Sequence, residues 1–132
     1  MRAALSFLKI DCDEVSIHLV DTKTISRLHA QFFDDPTTTD CITFPMDDPS
    51  EEGCQMLGEV FVCPATALDY AKKRGLDPYR ETTLYIVHGI LHLIGYDDID
   101  PKERRTMRTK ERQTMAHLEE NGCLLRKEEA CC

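Results

Sequence analysis

The segment from Asp77 to Gly95 constrains the fold more than any other stretch of the chain. Asp77-Pro78 reads as a helix N-cap followed by proline at the first helical position, where a missing N–H removes no bond. Leu84, Val87, Leu91 and Ile94 recur at i, i+3, i+7 and i+10, an apolar seam that must be buried, and Gly95 is placed to end the helix. One buried helix needs other elements to cover it. The 132 residues, 42% hydrophobic and 30% charged, suffice for one compact domain and not for two. The expectation is therefore a single domain over residues 1–132, with a flexible tail over about residues 121–132.

No apolar run approaches the roughly 20 residues that cross a bilayer. Asp11, Asp13 and Glu14 arrive before any long apolar stretch at the start, which argues against an export signal and for a soluble, cytoplasmic protein. The seven cysteines are odd in number and include no Cys-x-x-Cys pair, so they are read as reduced thiols, structural or incidental.

Around the central helix the pattern predicts a strand over Glu14 to Val20 and a helix from Asp21 or Thr22 to Phe33, with Ile25, Leu28 and Phe32 on one face. Asp34-Asp35-Pro36 ends that helix. Short strands follow at Cys41 to Phe44 and Gly58 to Cys63, separated by an acidic loop from Met46 to Gln55. Pro64 opens a helix closed by Gly75, and Asp100-Pro101-x-Glu103 caps a last helix reaching Glu120.

The net charge of -8 is unevenly spread. Residues 28–71 hold nine acids and no lysine or arginine, whereas Lys102, Arg104, Arg105, Arg108, Lys110 and Arg112 outnumber Glu103 and Glu111 near the other end. A bound nucleic acid would lay its phosphates on that basic stretch, although a solvated helix face with internal ion pairs gives the same composition.

The chemistry-bearing residues sit at the end of the central helix. His88 and His92, four apart, project from one face and can share one metal ion. Gly95 follows three residues after His92 and Asp98 six after, a spacing that lets a sharp turn return a third ligand to the metal. In metalloproteases with such spacing a glutamate follows the first histidine as general base; Gly89 stands there and can transfer no proton, which disfavours peptide hydrolysis. A three-ligand site with an open position suits a metal-dependent hydrolase. His18, His29 and His117 lack such company and are read as structural.

The stretch His88-Gly89-Ile90-Leu91-His92-Leu93-Ile94-Gly95-Tyr96-Asp97 closely resembles the signature His-Gly-x-Leu-His-Leu-x-Gly-Tyr-Asp-His of the YbeY endoribonuclease family of rRNA maturation factors. Thr39-Asp40-Cys41-Ile42-Thr43-Phe44-Pro45 and Leu57-Gly58-Glu59-Val60-Phe61-Val62-Cys63 resemble two strand motifs of that family, in its order, and the likeness extends from about residue 14 to 119. The resemblance implies an α/β (α+β) fold: a small mixed sheet of about three to four strands packed with about five helices, one of them the metal helix. It also implies a zinc ion, one per chain, or another divalent transition metal, and cleavage of single-stranded RNA at the 3′ end of the small-subunit rRNA. The partners it implies are ribosomal RNA and the small ribosomal subunit or its proteins, in the bacterial cytoplasm, without membrane or DNA.

Carried over by position, the ligands are His88, His92 and Asp98, the last where the family has histidine. A carboxylate is shorter than imidazole and adds negative charge, which lowers the ion's power to acidify water; Asp97 or Asp100 would substitute if the turn were shaped differently. A family arginine before the first strand motif falls at Phe33, so either Arg80, Arg104, Arg105 or Arg108 supplies the cation that holds phosphate, or catalysis is weak. Glu59 keeps the carboxylate of a family aspartate. The alternative to an endoribonuclease is a non-catalytic, metal-stabilised ribosome assembly factor.

Overall fold

The fold is that of a computed structural model, which describes residues 2–10, 12–33, 41–48 and 53–125. These form five helices and three strands in the order α1 (Arg2–Phe7), β1 (Glu14–Leu19), α2 (Thr22–Phe33), β2 (Cys41–Pro45), β3 (Met56–Val62), α3 (Pro64–Arg74), α4 (Pro78–Leu93) and α5 (Pro101–Glu120). The α+β class and mixed sheet are as expected. Asp34, Asp35, Pro36, Asp40, the Pro49 to Glu52 part of the acidic loop and the Cys131-Cys132 pair lie outside the described residues.

Strand order is β1-β3-β2, with β1 parallel and β2 antiparallel to β3. The central strand is buried on both faces, and its alternation sorts the core. Leu57, Val60 and Val62 meet Ile86, Ile90 and Leu93 of α4, while Phe61 joins Ile42 and Phe44 against Ile25 and Leu28 of α2. Helix α4 is apolar on more than the seam seen in the sequence. Its Val87 and Leu91 face a second cluster with Met107, Met115 and Leu118 of α5, so α4 lies between sheet and α5.

Capping follows the sequence. Asp77 accepts the Tyr79 N–H at 2.9 Å, Asp100 the Glu103 N–H at 2.8 Å and Asp21 the Thr24 N–H at 2.7 Å. Gly89 has a role that its inability to carry a proton did not reveal. A Cβ there would lie 2.5 Å from Val60 Cγ1 and 2.9 Å from Cys41 Sγ, so glycine lets α4 press against the sheet.

Two readings are corrected. Helix α1 has no counterpart in the sequence pattern; its six residues are held by packing, with Ala4 fully buried and Phe7 stacked on His117 at 4.6 Å. The cysteines are not all reduced, because Cys12 is disulfide-bonded to Cys54. Sheet register explains the pairing: Glu14 and Met56 are partners across β1 and β3, and each cysteine lies two residues before its partner residue. Cys41, Cys63 and Cys123 are free.

Candidate metal centre

The last two turns of α4 and the loop to α5 build the site. His88 and His92 stand one turn apart on one face, and their Nε2 atoms are 3.0 Å from each other. Helix α4 then ends in a tight reversal in which the Gly95 N–H donates to His92 O at 3.1 Å and the Tyr96 N–H to Leu91 O at 3.0 Å. Gly95 takes φ 106°, a conformation that side chains rarely adopt, and the reversal brings Asp98 back over the helix end. Asp98 Oδ2 lies 3.8 Å from His88 Nε2. Among the described residues, His88, His92 and Asp98 form the group of donors that lie within 4.8 Å of one another and can hold an ion.

The donor chemistry fits a divalent transition-metal ion. Two nitrogens, each about 2.0–2.1 Å from one ion at a tetrahedral angle, stand about 3.3 Å apart, close to the observed spacing. The protonation pattern fits as well. His88 Nδ1–H donates to Glu111 Oε1 at 2.5 Å, which makes Nε2 the acceptor atom of the ring, facing His92 and Asp98. The Glu111 side chain is only 12% exposed, so its carboxylate is committed to this bond. The sequence showed Glu111 merely as one of two acids in the basic stretch from Lys102 to Arg112; it lies 23 residues from His88, and no local spacing signals the contact.

The remaining candidates are dispersed. Asp97 accepts the Asp98 N–H at 2.8 Å and so shapes the ligand loop, and Asp100 is occupied as the α5 cap. Arg104 clasps the same loop, with Nε 3.3 Å from Asp98 O and Nη2 3.4 Å from Ile99 O. Arg80 pairs with Glu119 at 3.2 Å, and Arg105 lies beside Tyr96 and Lys110 on a different surface. Glu59 faces His18 on the sheet, with 3.5 Å between Oε1 and Nε2. Arg104 and Arg108 line a cavity of about 530 Å³ between α3, α4 and α5, whose wall also includes His88 and Asp98. Phe33 ends α2.

The chain is similar to known proteins in sequence and in fold. A family profile described as endoribonuclease YbeY matches residues 1–119. A Protochlamydia amoebophila protein named endoribonuclease YbeY is 54% identical over 107 residues, covering 81% of this chain and 71% of the relative. Its namesake from Chlamydia felis is 41% identical over 125 residues, covering 92% and 79%. Among solved structures, the solution structure of TM1509 from Thermotoga maritima superposes with a TM-score of 0.65 at 28% identity, covering 89% of this chain and 77% of that one.

Proposed function

The chain belongs to the endoribonuclease YbeY family, and from that premise we propose that it is a metal-dependent hydrolase that cuts single-stranded RNA during ribosomal RNA maturation, at the 3′ end of the small-subunit rRNA. The observation that carries this reading is the convergence of His88, His92 and Asp98 beside a cavity walled by Arg104 and Arg108. The proposed ion is zinc, which these two imidazoles and one carboxylate suit, and the proposed setting is the cytoplasm with the small ribosomal subunit as partner.

When bound, a zinc-type ion supplies Lewis acidity and lowers the pKa of water toward neutrality. The protein's own residues do the rest. Glu111 fixes the His88 ring and its tautomer. Arg104 holds the Asp98 loop in place through backbone carbonyls and presents charge at the cavity wall. Arg108, which makes no ion pair among the described residues, is free to bind a phosphate and offset charge developing at phosphorus. These two arginines replace the cation that the family carries where Phe33 stands here. The names of the curated relatives favour catalysis over a purely structural role in ribosome assembly.

The test is elemental mass spectrometry of untagged protein purified without chelator, followed by cleavage of single-stranded RNA. Wild type should carry about one zinc per chain, retained in Asp97→Ala and lost in Asp98→Ala, and cleavage should disappear in His92→Ala. Cleavage that persists in metal-free His92→Ala protein would overturn the mechanism.

A further inference from the structure

Four polar or charged side chains are buried in the described residues: Glu81, Thr82, Thr83 and Thr114. The three threonines each donate to the carbonyl four residues back, at 2.8 Å. Glu81 is different. It is 6% exposed, yet its carboxylate has no hydrogen-bond or ion-pair partner among the described residues. Its oxygens are not sealed from solvent, so what satisfies them is water or a group that enters from outside the fold. Glu81 lines the same cavity of about 530 Å³ that reaches His88 and Asp98.

Position narrows what that group can be. Glu81 and His88 are seven residues apart on α4, two turns along one face, so about 10.5 Å of helix separates them. That is comparable to the reach from a phosphate to the far edge of its own base. At one end of the cavity lie the metal ligands with Arg104 and Arg108, suited to phosphate. At the other lies an acceptor-only carboxylate, and the exposed ring of Tyr70 from α3 forms part of the wall.

We propose that this cavity receives the nucleobase next to the scissile phosphate and that Glu81 selects guanine. Guanine offers N1–H and N2–H side by side, matching both carboxylate oxygens. Adenine and cytosine set one amine beside an acceptor nitrogen, and uracil flanks its single N–H with carbonyl oxygens that a carboxylate repels. The inference rests on the nuclease reading for the nature of the substrate and adds base preference to it.

The experiment has two arms on the full chain. Isothermal titration with guanosine, inosine, adenosine and uridine 5′-monophosphates reads the pocket directly. Sequencing of cut ends from a random single-stranded RNA pool reads the reaction. Guanosine monophosphate should bind at least about tenfold tighter than inosine monophosphate, which lacks the N2 amine, since one hydrogen bond to a charged group is worth about that factor. Cuts should cluster beside guanine. In Glu81→Gln both preferences should collapse, and the melting temperature should stay level, because the carboxylate makes no hydrogen bond or ion pair among the described residues.

Equal binding of all four nucleotides, a guanine bias that survives Glu81→Gln, or a fall in melting temperature showing that the carboxylate holds the fold together would each overturn the proposal. Guanine-selective binding without any RNA cleavage would support the pocket and remove the nuclease reading. Cleavage without guanine bias would do the reverse.

Discussion

At the residue scale, one proton position organises the centre. His88 can offer Nε2 to an ion only while its hydrogen stays on Nδ1, and Glu111 on a separate helix holds it there. Glu111→Gln keeps the size of the side chain and loses the charge, so the tautomer is less firmly imposed and the imidazole is less basic. Zinc affinity, read by competition with a chromophoric chelator, should fall about 10–100-fold with the helices intact by circular dichroism. Unchanged affinity would mean that the bond is a packing contact. The two histidines, the turn glycine and the returning aspartate were readable in sequence because helical spacing and glycine's access to positive φ are local properties. Glu111 and Glu81 were not, since what distinguishes them is burial against elements distant in the chain.

At the element scale, α4 is set by how closely it meets the sheet. The sequence showed one seam, Leu84-Val87-Leu91-Ile94, and the structure uses that face toward α5, with Ile86, Ile90 and Leu93 against β3. Periodicity finds one stripe easily; a helix covered on two sides blurs the pattern. Gly89→Ala sets two effects against each other. Alanine should gain about 1 kcal/mol in helix propensity, but its Cβ meets Val60 Cγ1 at 2.5 Å in a packed interior, an overpacking cost of about 1–3 kcal/mol. Val60 is buried and Cys41 half-buried, and both belong to the sheet, so the clash should win, lowering the melting temperature and loosening the histidine pair.

The β2–β3 connection supplies a pH-dependent element. The Asp47 carboxylate accepts the Met56 N–H at 2.9 Å and the Gln55 N–H at 3.0 Å, and these bonds hold its pKa below the ordinary 3.8. A lowered carboxylate pKa stabilises the fold above the unfolded value, and the contribution is lost as pH falls through the folded one. Asp47→Asn should therefore destabilise the hairpin at neutral pH, and the difference from wild type should shrink below about pH 4. Amide exchange at Met56 followed across that range measures it.

At the scale of the whole molecule, two features act across the chain. The Cys12–Cys54 bond spans 42 residues and ties the starts of β1 and β3. In a loop-entropy account, losing it costs about 4 kcal/mol, and the Cys12→Ser/Cys54→Ser variant should melt about 10–20 °C lower, as should reduced wild type. A reducing cytoplasm would set the same reduced state. Spacing could not reveal this pair, because strand register rather than sequence distance brings the sulfurs together.

The second feature is charge. A net charge of -8 opposes RNA, so binding depends on where the positive charge stands rather than on its total. Residues 28–71 hold nine acids and no lysine or arginine, while α5 carries Arg104 and Arg108 to the cavity that His88 and Asp98 also line. If single-stranded RNA crosses that wall with about two to four phosphates neutralised, the logarithm of its affinity should fall against that of salt concentration with a slope of about -1.4 to -2.8. Fluorescence anisotropy with the His92→Ala variant, which should not cut the probe, gives the slope. Arg108→Ala should make it shallower by about 0.7, the share of one phosphate, whereas Arg80→Ala should leave it unchanged because Arg80 is paired with Glu119 and does not line the cavity. Equal slopes in wild type and Arg108→Ala would place the RNA elsewhere, and the cation that holds the scissile phosphate would then have to be sought away from α5.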